Sequence, residues 1–104
     1  MKSSVERLSQ RLLFALGYVK VSDSAVSALN PNDVAEALFK HSTGDWGEVS
    51  EQQAKKNAQA VLKKTDVISI HTDRYGHKFQ IRTEISDCTT TITLFDQKKG
   101  RTKK

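Results

Sequence analysis

Three histidines and one aspartate are the residues of this sequence best suited to acid–base chemistry or metal binding. His41 lies four residues before Asp45, and His71 and His77 flank the segment 73–76. Imidazole titrates near neutral pH, so such a set could transfer protons in a metal-free ribonuclease. The spacing matches no zinc-ligand motif, and the sequence lacks a Walker loop, a nucleophile elbow and a dinucleotide fingerprint. We therefore expect no catalytic residues, no metal and no cofactor, and exposed histidines at 71 and 77.

The segment His41-Ser42-Thr43-Gly44-Asp45-Trp46-Gly47 lies between two helical patterns and contains the only tryptophan. Asp45 is expected to accept backbone N–H groups of a turn, Trp46 to anchor the loop on the core, and His41 to close the preceding helix. An aromatic side chain in a polar loop is also a common anchor for a partner. We predict a structural clasp first and a partner-contact site second, formed by His41, Gly44, Asp45, Trp46 and Gly47.

The length and composition are those of one small domain with a modest core. The chain has 104 residues, 37% of them hydrophobic, and a mean hydropathy of -0.55. No apolar run approaches the ~18 residues that a membrane span needs, and the N-terminus lacks the apolar segment of a secretory signal. The single cysteine, Cys88, allows no intramolecular disulfide. We expect a cytoplasmic protein in a bacterial host, with no membrane contact.

The positive charge is concentrated at the C-terminus. The net charge is +5, and the last seven residues carry five positive charges and no negative one. We predict a single domain over residues 1–97 and a disordered basic tail over residues 98–104. If the protein binds nucleic acid, the expected contacts come from this tail and from the open face of the predicted sheet. These residues are Lys78, Arg82, Lys98, Lys99, Arg101, Lys103 and Lys104.

Helical spacing dominates the first two thirds of the chain. We predict an amphipathic helix over residues 3–16, ended by Gly17. Residues 18–29 are ambiguous between a short extended piece and a short helix. Asn30 and Pro31 are typical of a helix start, and that helix should end near residue 41. Ser50 opens a further helix. Its predicted apolar stripe consists of Ala54, Ala58, Val61 and Leu62.

A period of two replaces the helical period after residue 64. Strands are predicted over residues 67–72, 77–85 and 89–95, separated by short turns. The predicted buried face consists of Ile68, Ile70, Phe79, Ile81, Ile85, Ile92 and Leu94. The predicted open face consists of Ser69, His71, Lys78, Gln80, Arg82, Glu84, Thr91 and Thr93. The predicted fold is α+β, with N-terminal helices packed on one face of a C-terminal three-stranded antiparallel β-meander.

Three parts of the sequence resemble a family of small plasmid-related proteins carried by phages and plasmids. The parts are the His41–Gly47 segment, which matches an H-x-x-G-D-W-G pattern, then Asn57, and then Thr83-Glu84 with the threonine-rich run 89–94. The similarity covers roughly residues 30–95. The chain differs from the pattern at Ser86-Asp87-Cys88, where an Asp-Arg pair is common, and in its basic C-terminus. The resemblance implies a compact α+β domain of mobile-element origin. It assigns no activity and no catalytic residues to this chain.

Three functions stay open on the sequence. The first is a non-enzymatic binding protein of a mobile element. It would inhibit or modulate a host defence system, as anti-CRISPR and anti-restriction proteins do, through contact with a host or phage protein. The second is an accessory nucleic-acid-binding protein that uses the basic tail. The third, a small nuclease toxin, depends only on the histidines and Asp45. The oligomeric state is open.

Overall fold

A computed structural model describes residues 12–95 of the protein, and the backbone alone of residues 96 and 101–103. The fold is α+β, as predicted. In chain order the elements are β1 (Tyr18–Val21), α1 (Asp23–Ala28), α2 (Pro31–Thr43), α3 (Glu51–Lys63), β2 (Asp66–Thr72), β3 (Lys78–Glu84), a 3-10 turn (Ile85–Asp87), β4 (Thr89–Asp96) and β5 (Arg101–Lys103).

The sheet is larger than the predicted meander and is mixed. Strands β2, β3 and β4 form the expected antiparallel meander, but the sheet order is β1-β4-β3-β2, and β1 pairs with β4 in parallel. Short β5 pairs with the end of β4. The prediction of three strands was therefore incomplete, because a four-residue strand so far from its partner in sequence has no local pattern that shows the pairing.

Side-chain caps define the helix ends, as the sequence indicates. The side chains of Ser22, Asn30 and Ser50 each accept a backbone N–H at the start of a helix. Helix α2 runs two residues beyond the predicted end at residue 41, and Gly44 then ends it with a φ of 98°. The left-handed conformation favours glycine at that position.

Strand β2 faces the opposite way from the prediction. Val67, Ser69 and His71 are buried on the helix-covered face, whereas Ile68 and Ile70 lie on the other face. The parity of β3 and β4 is as predicted, with Phe79, Ile81 and Ile92 fully buried. The helix-covered face holds two apolar clusters. The first consists of Ala25, Leu29, Ala37, Phe79, Ile81 and Ile92, and the second of Phe14, Ala60 and Val67.

The stripe predicted for α3 was wrong in part, because Val61 packs against the second cluster but Ala58 and Leu62 do not. Asn57 and Ala60 are its buried residues, while Ala58 is exposed and Leu62 is 83% exposed. Asn57 is buried because its amide has hydrogen-bond partners on β2, which are described below. A polar side chain takes the place that the hydrophobic pattern assigns to an apolar one.

Both ends of the chain extend past the described residues. The predicted helix over residues 3–16 lies outside them up to residue 11, and residues 12–16 are not helical. Residues 97–100 and 104 also lie outside, so Lys98, Lys99 and Lys104 have no structural account. The division into a domain over 1–97 and a tail over 98–104 stays a prediction.

Candidate functional site

The His41–Gly47 segment runs along the outer edge of β2. The backbone N–H of Ile70 donates to the carbonyl of Trp46 at 3.2 Å, and the N–H of Glu48 donates to the carbonyl of Ile70 at 2.7 Å. Gly47 has a φ of 64°, and a Cβ at this position would lie 2.1 Å from the Ile70 oxygen. The close approach therefore requires glycine, and the segment supplies Ile70 with the hydrogen bonds of a neighbouring strand.

Asn57 completes this cover of the β2 edge. Its side-chain amide donates to the carbonyl of Ile68 at 2.7 Å and accepts the N–H of the same residue at 3.0 Å. The side chain thus satisfies both outward backbone groups of Ile68. Gln53, one turn earlier in α3, donates to the Asn57 oxygen at 3.0 Å. The loop and Asn57, which together cover the β2 edge, both belong to the pattern on which the family resemblance depends.

The other predicted residues of the loop differ in their burial. Asp45 is exposed and accepts the N–H of Gly47 at 3.2 Å, so it holds the turn as expected. Trp46 is half-buried against the cluster of Phe14, Ala60 and Val67. Its indole N–H is buried and has no hydrogen-bond partner among the described residues. The loop thus contacts β2 through its backbone and the core through Trp46, and its role as a clasp stays a prediction.

His41 is fully buried and anchors a chain of polar groups beneath the loop. Its Nδ1 lies 2.6 Å from the Ser69 hydroxyl, and its Nε2 lies 2.9 Å from the Thr83 hydroxyl. The Thr83 hydroxyl lies 2.7 Å from that of Thr90, which donates to the carbonyl of Leu16 at 2.6 Å. At the other end, Nε2 of His71 lies 3.1 Å from the Ser69 hydroxyl. We call this series the His71–Leu16 chain.

The His71–Leu16 chain lies where the two apolar clusters adjoin. Thr83 and Thr90 share the cross-strand row of Val67, and Ser69 shares the row of Ile81 and Ile92. The ring of Phe14 meets the ring of His41 edge-on, with the ring centres 5.3 Å apart. Apolar surroundings on both sides keep water away from the chain, so its groups must satisfy one another.

Burial keeps both histidines of the chain neutral. Loss of solvation lowers the pKa of His41 to about 3, and the nearby His71 ring acts in the same direction. Burial also lowers the pKa of His71, against the opposing effect of the Asp45 carboxylate and in the same direction as the Lys40 charge. The sequence placed His71 on the open face and treated it as an exposed turn residue, and that prediction was wrong. His77 is exposed as predicted.

His71 also lines a polar cleft of about 410 Å³ between α2 and the β2–β3 hairpin. We call it the His71 cleft. Gly47 and Glu48 of the loop form one side, and Glu36 and Lys40 of α2 form another. The remaining lining residues are Asp33, Ala37, Ile70, Thr72, Asp73, Arg74 and Phe79. The buried His71–Leu16 chain therefore ends at an accessible surface.

Most charged groups around the His71 cleft already have partners. Arg74 binds Asp33 through two side-chain hydrogen bonds of 3.0 Å, and this contact lowers the pKa of Asp33. Glu48 binds Lys78 and the Thr72 hydroxyl, and these contacts lower the pKa of Glu48. Buried Asp73 accepts three backbone N–H groups, which outweigh the effect of burial and lower its pKa.

Three polar groups of the His71 cleft have no such partner. Among the described residues, nothing bonds to or pairs with the carboxylate of Glu36, the ammonium of Lys40 or Nδ1 of His71. Glu36 and Lys40 are exposed, whereas His71 is only 9% exposed. From the sequence, Glu36 and Lys40 were not predicted as site residues, and His71 was considered for chemistry but predicted to be exposed. Glu36 and Lys40 lie one turn apart on a helix that was predicted, so their shared face was readable from their spacing.

The predicted nucleic-acid residues on the sheet are engaged in ion pairs. Arg82 pairs with Asp66 and lies 3.9 Å from Glu84, while Lys78 pairs with Glu48. Residues 12–96 contain nine Lys and Arg against eleven Asp and Glu. Arg101 and Lys103 of β5 raise the number of positive residues in the described part of the chain to eleven, so this part is neutral overall. Its open sheet face offers no unpaired cluster of positive charge among the described residues.

Neither a metal-binding cluster nor a membrane-spanning helix occurs among the described residues. No three or more His, Cys, Asp and Glu side chains there are grouped so that they could hold a metal ion. Nor does any helix in that part of the chain have the length and apolar content to cross a bilayer.

Comparison with protein-family models, with curated proteins and with solved structures finds no match for this chain.

Proposed function

We propose that this chain is a non-enzymatic binding protein that contacts a partner protein through the His71 cleft. The observation that supports this proposal is the set of three unpartnered polar groups, Glu36, Lys40 and Nδ1 of His71, on a surface whose other charges are already paired. Groups that are satisfied within the protein contribute fold stability. Accessible polar groups without a partner in the protein are available for recognition.

The buried chain supports binding rather than catalysis. Ser69 is the hydroxyl nearest to both histidines, but it is fully buried, and its oxygen already contacts His41 and His71. Both ring nitrogens of His41 are likewise engaged and buried. A nucleophile and its base must reach the substrate, and this pair cannot do so in the folded state. The third function considered on the sequence, a nuclease toxin, gains no support from His41, whose two ring nitrogens are buried and engaged.

The proposed partner is a host or phage protein in the cytoplasm of a bacterial cell. This part of the proposal depends on the resemblance of the His41–Gly47 segment to plasmid-related proteins of mobile elements. Small proteins of that origin often act by occupying a partner's surface, and modulation of host defence is the role we propose. The excess of carboxylates over cations that line the His71 cleft favours a basic surface on the partner.

Nucleic-acid binding through the tail is the second candidate. Five positive charges in the last seven residues favour it. Since Lys78 and Arg82 are ion-paired, the tail would supply most of the affinity. Such binding should weaken steeply with salt and should vanish when residues 98–104 are deleted.

Affinity capture from host lysate, with and without nuclease, tests both candidates. We expect a protein partner that survives nuclease treatment and that is lost when Glu36→Lys and Lys40→Glu are combined. The matched control is Lys55→Glu, an exposed charge reversal on α3, which should retain the partner. Capture that ends with nuclease treatment, or that is unchanged by the cleft reversal, would overturn the binding-protein proposal.

A further inference from the structure

The direction of every hydrogen bond in the His71–Leu16 chain follows from its last member. A carbonyl oxygen only accepts, so the Thr90 hydroxyl spends its one hydrogen on Leu16. The Thr83 hydroxyl must then donate to Thr90, because no hydrogen of Thr90 is left for the reverse bond. The Thr83 oxygen consequently accepts from Nε2 of His41, which must carry the proton.

The donors and acceptors between His41 and the cleft are fixed in the same way. Neutral His41 with a proton on Nε2 has an acceptor at Nδ1, so the Ser69 hydroxyl donates to it. The Ser69 oxygen then accepts from Nε2 of His71. His71 is therefore held as the Nε2–H tautomer, and its Nδ1 carries a lone pair and no proton. The carbonyl of Leu16, just before β1 at the other edge of the sheet, therefore makes Nδ1 of His71 a hydrogen-bond acceptor in the cleft.

The lone pair on Nδ1 of His71 is left uncovered by the loop. Gly47 passes over the ring, and a Cβ there would lie 2.8 Å from Nδ1 and 2.9 Å from Cε1. No described residue bonds to Nδ1, although His71 is more than nine-tenths buried. The cleft thus presents one oriented acceptor that only a hydrogen-bond donor from another molecule can satisfy.

The charges around this acceptor favour a cationic donor. Four carboxylates and two cations line the cleft, and the Asp33–Arg74 pair is closed on itself. Glu36 retains an unpaired carboxylate, and the Asp45 and Glu48 carboxylates both act electrostatically on the His71 ring. Lys40 and Lys78, the ion-pair partner of Glu48, are the opposing charges, and the Asp73 carboxylate adds to the negative side. The balance is negative, so a positively charged donor gains more than a neutral one.

We propose that the His71 cleft binds a cationic side chain of the partner, with arginine preferred over lysine. This inference rests on the proposed function and names the chemistry that the partner brings. A guanidinium has five donors in a planar fork, so it can serve a neutral ring nitrogen and a carboxylate together. An ammonium is a more compact and more strongly hydrated charge.

Nuclear magnetic resonance titration with a short peptide tests the inference directly. The probe is acetyl-Gly-Arg-Gly-amide, and its control contains citrulline, which keeps the shape and loses the charge. We expect amide shifts at Gly47, His71 and Thr72, and about tenfold weaker binding of the citrulline peptide because it forms no charge-assisted hydrogen bonds. Equal binding of the two peptides, or shifts confined to other surfaces, would overturn the inference.

Three variants and one spectrum separate recognition from folding. His71→Gln can still donate an amide N–H to Ser69 but has no acceptor at the Nδ1 position, so it should lose the arginine peptide. Glu36→Gln, on an exposed helix position, should weaken binding without loss of stability, and His77→Gln should change nothing. Imidazole ¹⁵N shifts should show unprotonated Nδ1 at His71. A protonated Nδ1 would contradict the derivation of the tautomer.

The outcomes distinguish this inference from the proposed function. If the cleft reversal abolishes partner capture while the arginine and citrulline peptides bind equally, the binding role stands and the cationic ligand is wrong. If the arginine peptide binds selectively but partner capture ignores the cleft, the proposed protein contact fails.

Discussion

The two faces of the sheet satisfy their polar side chains in opposite ways. On the helix-covered face, Ser69 and Thr83 are joined through neutral His41, and no charge is present in the series. On the open face, Arg82 and Lys78 carry full charges and form ion pairs at the surface. Charge is costly to remove from water, whereas neutral groups can be buried when each finds a partner. The covered face should therefore be sensitive to mutation and the open face tolerant.

Removal of the His41 ring should give the largest effect. His41→Ala leaves a cavity and two buried hydroxyls without their partner, so we expect a loss of about 3–5 kcal/mol in the free energy of unfolding. Urea denaturation measures it. The control His77→Ala removes an exposed ring and should cost no more than about 0.5 kcal/mol. Similar costs for the two variants would contradict the contrast between the faces.

Gly47→Ala tests the cover of the β2 edge. The new Cβ would meet the Ile70 oxygen in a left-handed conformation, so the loop must move from the strand, at a cost of roughly 2–4 kcal/mol. Gly76→Ala is the matched control, since Gly76 has a φ of 85° and nothing within 4 Å of the added atom. Its cost should be only about 1 kcal/mol. Thermal or urea unfolding of both variants decides whether close approach or φ alone requires the glycine.

Acidification should weaken the covered face before the open one. The folded pKa of His41 is about 3, below its ordinary value, so the unfolded state binds more protons as the pH falls below about 6.5. Stability should then fall by at most ~1.4 kcal/mol per pH unit for His41, or about 2 kcal/mol from pH 6.5 to 5. The lowered carboxylate pKa values reduce stability only below about pH 5. Urea midpoints that are constant over pH 5–7 would refute this.

The open face should give the smallest effect. Arg82→Ala removes a half-exposed ion pair with Asp66, and surface pairs of this kind contribute ~0–1 kcal/mol. Urea denaturation at low and high salt should show a difference from the wild-type protein that shrinks as salt screens the pair. A salt-independent loss of several kcal/mol would show that Arg82 has a packing role that the ion pair conceals.

Local signals in the sequence predicted the helix starts and the turn between β2 and β3, because caps such as Asn30-Pro31 and turn residues act within a few residues. The parity of β2 was not predictable in this way. Ile68 and Ile70 suggested the buried side, and Ser69 is acceptable there only because it bonds to the ring of His41, distant in sequence, and to that of His71. On α3, Asn57 is buried and Leu62 is not, because the Asn57 amide satisfies the outward backbone groups of Ile68 on β2. One signal was available for His41, which falls at helical spacing with Val34 and Leu38.

The parallel pairing of β1 with β4 has a consequence for the order of folding. Tyr18 is the register partner of Thr89, about seventy residues later, whereas the β2–β3 and β3–β4 pairs are closed by short turns. Closing the longer loop costs more chain entropy, so contacts of this kind form late. We expect pulsed hydrogen exchange during refolding to protect amides of the meander before those of β1. Simultaneous protection would contradict this. Until β1 docks, Thr90 lacks the Leu16 carbonyl, so the tautomer of His71 is set only at the end of folding.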